Sequence, residues 1–208
     1  MDIENFYSKR ARFYDLITRV LGHDRSIRKF FKSRNYLRPG MKILDAGCGT
    51  GAVTRVLIEI AAESQIGNLQ FFGFDLTERM LRIFRERIDY KKTQVKLCKA
   101  DVLDLKNQLP ADWKNFDFIV SCGMLEYIPS DRFVETLVGL KRLLKPSGKL
   151  IIFISRKNLA GRLIIERFWK AKLFEKDEIR SAIEAAGFKT PNIMKKFRTW
   201  GYVVEAES

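Results

Sequence analysis

One carboxylate stands just before a glycine-rich turn, in the stretch 43–51. Asp45 precedes Gly47, Gly49 and Gly51, which allow the backbone to turn sharply and to approach a ligand without a Cβ in the way. A strand, a glycine turn and a helix N-terminus together form a site for a nucleotide-type cofactor. A carboxylate here would repel a phosphate, so the pattern favours a cofactor with an ammonium or sulfonium group.

Three further polar residues lie at or just after the ends of predicted strands. Asp75 ends the second strand, Asp101 follows the third and Cys122 ends the fourth. In open α/β sheets, ligands bind beyond the carboxyl ends of the strands. We therefore expect these residues and Asp45 to converge on one site.

The elements that must position these residues alternate along the chain. Apolar spacing predicts strands that begin at residue 43 and cover 70–75, 95–98, 116–122 and 149–155, with two more within 188–206 as an antiparallel edge. Helices are predicted at 52–62, 78–88, 131–144 and 176–186, with Thr77 as the N-cap of the second and Gly187 as the C-cap of the last. This alternation predicts an α/β fold with a doubly wound, mostly parallel sheet.

Basic residues concentrate in segments outside the predicted sheet. The 208-residue chain has a net charge of +14. Residues 1–38 are predicted to form an N-terminal helical cap, with a second helix at 24–37, before a domain at 39–208. Residues 156–174 are predicted to be a helical insertion or lid with a cationic amphipathic pattern. The charge either serves solubility or faces an anionic substrate, membrane surface or nucleic acid.

Composition narrows the class of protein. Hydrophobic residues make up 46% of the chain, enough for a substantial core. Three widely spaced cysteines indicate neither a disulfide framework nor a metal site, and a single histidine, His23, excludes a histidine-rich one. With a polar N-terminus and no apolar run of membrane-spanning length, we expect a cytoplasmic protein without a metal.

At this point the chain resembles the class I S-adenosylmethionine-dependent methyltransferases, over residues 36–207. Residues 43–51 match the first motif of that family, and Asp75 matches the acid that ends its second strand. Asp101 and Val102 match the position that meets the adenine, and 140–153 match the helix, K-P-x-G turn and fifth strand. The resemblance implies a Rossmann-like methyltransferase fold with a seven-stranded sheet and an antiparallel last strand.

The resemblance also implies S-adenosyl-L-methionine as the cofactor and a role for each motif. Gly47, Cys48, Gly49 and Gly51 would hold its methionine part, with Asp45 near the ammonium or organising the loop. Asp75 would accept from the ribose diol, with Leu76 and Met80 at the same site. Asp101 and the Val102 amide would meet the adenine, and Cys122 and Gly123 would lie near the transferred methyl group.

No general base is evident, and four residues are candidates. Tyr14 and the motif at 125–131, with Glu126 and Tyr127, resemble the small-molecule branch that includes quinone-type methyltransferases. The family often has His where this chain has Tyr127. His23 is the fourth candidate. Each has a structural alternative: Glu126 and Tyr127 could simply start a turn, and Tyr14 and His23 could be packing residues.

The cofactor residues have structural alternatives too. Asp45 could serve as a helix or turn cap and nothing more. Asp75 and Asp101 could be ordinary acids at strand ends, and Cys48 and Cys122 could be small packing residues. The predicted function is methyl transfer to a small, apolar or anionic acceptor, with peripheral contact to an anionic membrane surface. The alternatives are an RNA methyltransferase and a non-catalytic S-adenosylmethionine-binding protein. Nucleic acid is the less favoured partner because the fourth strand lacks the signature of base methylation.

Overall fold

The computed structural model describes residues 23–89, 93–157, 171–197 and 201–208. Seven strands form one sheet in the order β3-β2-β1-β4-β5-β7-β6. Its strands are β1 Lys42–Ala46, β2 Gln70–Asp75, β3 Gln94–Lys99, β4 Phe116–Cys122, β5 Leu144–Ser155, β6 Asn192–Phe197 and β7 Gly201–Glu207. β1, β2 and β3 pair in parallel, as do β4 and β5, whereas β7 runs antiparallel to β5 and β6. The predicted mostly parallel α/β sheet with an antiparallel last strand is confirmed.

The chain divides into two compact units, residues 1–101 and 102–208. In the first unit, helices α1 His23–Arg34, α2 Ala52–Glu63 and α3 Glu78–Arg87 accompany β1 to β3. Residues 43–46 of β1 are all buried, as expected for a parallel strand with both faces covered. α1 packs against α2, and Arg28 of α1 forms ion pairs with Glu59 and Glu63 of α2.

The described residues of the second unit contain β4 to β7 and three α-helices. These are α4 Leu105–Gln108, α5 Phe133–Leu143 and α6 Lys176–Ala185, of which α5 and α6 pack together. A capping box between Glu175 and Glu178 fixes the start of α6. Gly187, with φ of 81°, follows the helix end in the left-handed conformation expected there.

Several predicted boundaries are wrong, each for a local reason. α1 ends at Arg34 rather than at 37, because Asn35 takes a left-handed φ of 48°. The helix predicted at 131–144 begins as a 3-10 turn, Ser130–Arg132, and becomes α-helical only at Phe133. Residues 102–108, which had no prediction, form a 3-10 turn, Val102–Asp104, followed by α4.

The fifth strand begins earlier than the predicted residue 149. Leu144 pairs with Phe116, whereas Lys149 pairs with Phe118, so the pairing register shifts between these two points. The predicted turn at 145–148 is therefore a bulge between two stretches that pair with the same strand.

The N-cap of the helix after β2 is the predicted residue, without the expected side-chain hydrogen bond. Thr77 occupies the N-cap position of α3, but its side chain makes no capping hydrogen bond. The hydroxyl of Thr77 instead bonds the carboxylate of Asp75.

Parts of the predicted periphery lie outside the described residues. These are the first N-terminal helix, with Tyr14, and residues 158–170 of the predicted insertion. The predicted ends of that insertion are described: Arg156 and Phe174 form an isolated parallel bridge. The domain boundary at residue 38 stays a prediction.

Candidate functional site

Backbone hydrogen bonds hold the glycine turn after β1 to the end of β2. The amides of Gly47 and Cys48 both donate to the carbonyl of Phe74, each at 2.9 Å. Gly47, Gly49 and Gly51 have φ of 73°, 53° and 83°, in the left-handed region that favours glycine. The turn therefore depends on all three glycines.

Two of these glycines have different surroundings. A Cβ on Gly51 would lie 2.2 Å from the ring of Phe84 in α3, so only glycine fits there. Among the described residues, nothing lies within 4 Å of a Cβ built on Gly49. Gly51 thus serves packing, while the backbone at Gly49 borders open space that a ligand could occupy.

Asp45 is 2% exposed and faces the first turn of α2. Its Oδ2 accepts hydrogen bonds from the Thr54 amide at 3.2 Å and the Thr54 hydroxyl at 2.7 Å. The N-cap of α2 is Gly51, which has no side chain, so Asp45 caps the helix from the neighbouring strand. Burial raises the pKa of Asp45 to about 7. The two hydrogen bonds from Thr54 lower this pKa, and the negative charge of the nearby Asp75 raises it further.

The carboxylate of Asp75 joins the glycine turn to the start of α3. Its Oδ2 accepts from the Gly49 amide and its Oδ1 from the Thr77 amide, both at 2.9 Å. Burial raises the pKa of Asp75 in spite of these bonds. A carboxylate oxygen can accept two hydrogen bonds, so Asp75 retains capacity for donors such as a ribose diol.

Cys48 fills space inside the turn. It is 6% exposed, and burial, followed by the charges of Asp45 and Asp75, raises the pKa of its thiol well above the usual value. A Cβ on Gly73, which pairs with Asp45 across β1 and β2, would lie 3.0 Å from Sγ of Cys48. A neutral packing role therefore fits Cys48 better than a nucleophilic one.

The other predicted cofactor residues of the first unit lie close to Asp75 in the chain or at the end of β3. Leu76 is half-buried, and Met80 in α3 is 3% exposed. Asp101 is half-buried and follows Ala100, whose amide donates to the carbonyl of Asp75 at 3.1 Å. The adenine contact of Asp101 stays a prediction.

In the second unit, Val102 is buried and begins a 3-10 turn. Cys122 ends β4 and Gly123 follows it, and both are half-buried. Gly123 has φ of 75°, and its amide donates to the carbonyl of Phe153 in β5 at 3.2 Å. Contact of these residues with the cofactor, and convergence of all four strand ends on one site, stay predictions.

Glu126 lies in the 3-10 turn Leu125–Tyr127 and is 5% exposed. Its Oε1 accepts the amide of Ser155 at 3.0 Å, and its backbone carbonyl accepts the amide of Lys172 at 2.9 Å. Its Oε2 is buried and has no hydrogen-bond partner among the described residues. Burial raises the pKa of Glu126 to about 7, against the effect of bonds from its own backbone and from Ser155. The residue thus ties this turn to the end of β5 and to Lys172.

The remaining catalytic candidates have different positions. Tyr127 is half-buried, and its amide donates to the carbonyl of Met124 at 3.1 Å. His23 is the first residue of α1 in the first unit. No group of three or more His, Cys, Asp or Glu in the described part of the chain could hold a metal ion.

The sequence pattern did not indicate which residues contact the turn and the buried acids. Thr54 holds Asp45, Phe84 shapes the turn at Gly51, and Ser155 holds Glu126. One signal was present for Thr54, which is a polar residue among the apolar residues at the start of α2.

Comparisons with known proteins bear on the family of the chain. The sequence model of a family described as methyltransferase domain matches residues 37–198. The chain is 32% identical over 152 residues to the ubiquinone/menaquinone biosynthesis C-methyltransferase of Bordetella avium, covering 72% of this chain and 55% of that protein. It is 30% identical over 142 residues to prosolanapyrone synthase of Alternaria solani, covering 66% of this chain and 5% of that protein. The chain thus spans less than two thirds of each of these relatives.

Solved structures share the fold. Magnesium protoporphyrin IX methyltransferase of Synechocystis PCC 6803 with bound S-adenosylmethionine has a TM-score of 0.69 at 17% identity, covering 100% of this chain and 97% of that chain. The CurJ carbon methyltransferase has a TM-score of 0.66 at 18% identity, covering 81% of this chain and 48% of that chain. The chain therefore belongs to the methyltransferase domain family and has the fold of the class I S-adenosylmethionine-dependent methyltransferases, as its motifs predicted.

Proposed function

We propose that this chain transfers the methyl group of S-adenosylmethionine to a small-molecule acceptor. The observation that carries the proposal is the pair of carboxyl groups beside the glycine turn, the buried Asp45 and the half-buried Asp75. The hydrogen bonds that these carboxyl groups accept come from the Thr54 amide and hydroxyl and from the amides of Gly49 and Thr77, all of them neutral donors. Two neighbouring acids with neutral hydrogen-bond donors favour a ligand that brings positive charge.

The residues of the first unit fit this cofactor. Gly49 leaves open space beside its backbone, and Asp75, which already accepts the amides of Gly49 and Thr77 and the Thr77 hydroxyl, can accept one further hydroxyl donor. Asp45 holds the start of α2, which carries the positive end of the helix dipole. When bound, the cofactor supplies an electrophilic methyl group, and the protein contributes alignment of the reactants and exclusion of water.

Calorimetric titration with S-adenosylmethionine and S-adenosylhomocysteine tests the proposal. We expect the wild type to bind both ligands. Asp75→Ala should weaken binding by about tenfold or more, since a hydrogen bond to a charged group contributes about 1.5–3 kcal/mol. Asp117→Ala, which removes a carboxylate paired with Lys145 in the second unit, should leave the affinity unchanged. Absence of binding to the wild type would refute the cofactor assignment.

The proposed acceptor is small and apolar or anionic. The net charge of +14 and the quinone-type relative support this choice. Tritiated S-adenosylmethionine incubated with organic-solvent and aqueous fractions of a cell extract will show which fraction gains label. Labelled RNA would instead favour an RNA methyltransferase, the alternative suggested by the pI of about 9.8. Absence of transfer to any fraction would favour a non-catalytic binding protein.

Peripheral contact with an anionic membrane surface is part of the same proposal. Within the described chain, no helix combines the length and apolarity needed to cross a bilayer. Sedimentation with phosphatidylglycerol vesicles at low salt, lost at high salt and absent with phosphatidylcholine, is the expected result. A cytoplasmic location is proposed as well, supported by the three cysteines, which all have free thiols.

A further inference from the structure

Helix α1 of the first unit uses part of its positive charge in its contact with α2. Arg28 forms ion pairs with Glu59 and Glu63 of α2. Lys32 also pairs with Glu63, at 2.6 Å. These two cations of α1 are therefore neutralised by acids of α2, and they join the two helices.

Two further cations of α1 lie on the side of the helix that faces away from its buried residues. Arg25 and Lys29 are exposed, and neither belongs to an ion pair among the described residues. They are four residues apart, so they lie one turn apart on the same side of the helix. Ile27 and Phe31, which are 0% and 2% exposed, form the opposite, buried side. The acid of α1, Asp24, lies 3.9 Å from an arginine of α2, so the exposed side of α1 keeps its positive charge.

Aromatic rings lie beside these exposed cations. Phe30 follows Lys29 in the chain, and its ring lies 5.2 Å from that of Phe31, edge to face. The ring of Tyr36 lies 5.9 Å from both of these rings. Phe31 is buried, whereas Phe30 and Tyr36 are half-buried, so two rings of the cluster lie partly at the surface. Basic residues beside partly exposed aromatic rings are typical of protein surfaces that bind at the polar headgroups of a membrane.

Helix α3 of the same unit has exposed arginines without these two features. Arg79 and Arg82 are exposed and form no ion pair with any described residue. Two acids of the same helix, Glu78 and Glu86, are exposed as well. The aromatic residue of α3, Phe84, is fully buried. An excess of positive charge and partly exposed rings therefore occur together at α1 and not at α3.

The outer face of α1 thus consists of two cations and two partly exposed rings, Arg25, Lys29, Phe30 and Tyr36. With the membrane contact of the proposed function as its basis, we propose that this outer face is the surface that binds an anionic bilayer. The two cations complement the negative lipid phosphates, and the two rings enter the headgroup layer, where aromatic side chains are favoured. Binding there holds the first unit, with its glycine turn, at a membrane in which an apolar acceptor dissolves.

Sedimentation with phosphatidylglycerol vesicles at several salt concentrations measures this contact, and two matched double variants locate it. Arg25→Gln combined with Lys29→Gln should weaken binding at low salt by about 30-fold, at about fivefold for each basic residue near an anionic surface. Its binding should also depend less on salt than that of the wild type. Arg79→Gln combined with Arg82→Gln removes the same charge from α3 and should change the binding by less than about threefold. Tyr36→Ser should weaken binding without changing its dependence on salt, because the ring carries no charge.

The outcomes separate this inference from the proposed function. Equal losses in the two double variants, or unchanged vesicle binding in the double variant of α1, would overturn the inference alone. A double variant of α1 that lost binding to polyuridylic acid but kept its binding to vesicles would assign this face to nucleic acid and overturn the inference too. Wild type that does not sediment with the vesicles would refute the membrane contact of the proposed function, and this inference with it.

Two controls show that the double variant of α1 is otherwise intact. Thermal melting should give the same midpoint as the wild type, because both side chains are exposed and unpaired among the described residues. Calorimetric titration should give an unchanged Kd for S-adenosylmethionine. A weakened Kd in a folded variant would place these cations at the cofactor site and overturn their assignment to the membrane.

Discussion

Replacing Glu126 by glutamine should change how the stability of the protein depends on pH. Burial raises the pKa of Glu126 from its ordinary 4.5 to about 7, so in this range the folded protein binds a proton that the unfolded chain releases. The stability that this group contributes is fully present below about pH 4.5 and is lost as the pH rises to about 7. At about 1.4 kcal/mol for each unit of pKa, the loss amounts to about 3 kcal/mol.

Glutamine keeps an oxygen that can accept the Ser155 amide but cannot ionise. The free energy of unfolding of Glu126→Gln, minus that of the wild type, should therefore increase by about 3 kcal/mol between pH 4.5 and pH 8. Asp45 and Asp75 also have raised pKa values, but both proteins contain them, so their contributions cancel in the difference.

Urea unfolding at several pH values, followed by fluorescence of the buried Trp113 and by circular dichroism, measures this difference. The matched control is Glu135→Gln, which removes an exposed carboxylate that pairs with Arg132 at 2.6 Å. Its difference from the wild type should stay constant within about 0.5 kcal/mol, as for a surface pair. An equally flat difference for Glu126→Gln would show that the carboxyl group ionises freely in the folded protein and would refute the reasoning.

Two packing predictions can be measured by the same urea unfolding. Gly51→Ala should destabilise the fold by about 2–5 kcal/mol because its Cβ would enter the ring of Phe84, whereas Gly49→Ala should cost only about 1–2 kcal/mol of backbone strain. Equal costs would contradict the placement of that ring. Phe174→Ala should cost about 3–5 kcal/mol, because the side chain is fully buried with its ring 5.0 Å from that of Phe133, and Phe174→Leu should cost less.

The order of strands and helices was predictable because it depends on local periodicity. Residues 43–46 form an apolar run, and the three glycines after it all adopt the left-handed φ that a sharp turn needs. The antiparallel edge within 188–206 was predictable for the same reason, since two short apolar stretches follow a helix that ends at a glycine. Such signals lie within a few residues of the element they specify.

Element boundaries were less predictable where pairing with a distant strand decides them. The turn residues at 145–148 indicate an interruption, yet Leu144 still pairs with Phe116 and belongs to β5. The stretch 102–108 has no clear period because a 3-10 turn and one short helix divide it. At 144–148, pairing with a distant strand overrides the local pattern.

The site residues show the same contrast between local signals and distant contacts. Residue type and position identified Asp45 as an acid just before a glycine turn. Its pKa, however, depends on burial and on hydrogen bonds from Thr54, nine residues away. Glu126 could equally have lined a pocket or started a turn until Ser155, 29 residues away, was found to hold its carboxyl group. Sequence therefore identifies the acids at the ends of the strands, whereas packing determines which groups hold each acid and how far burial raises its pKa.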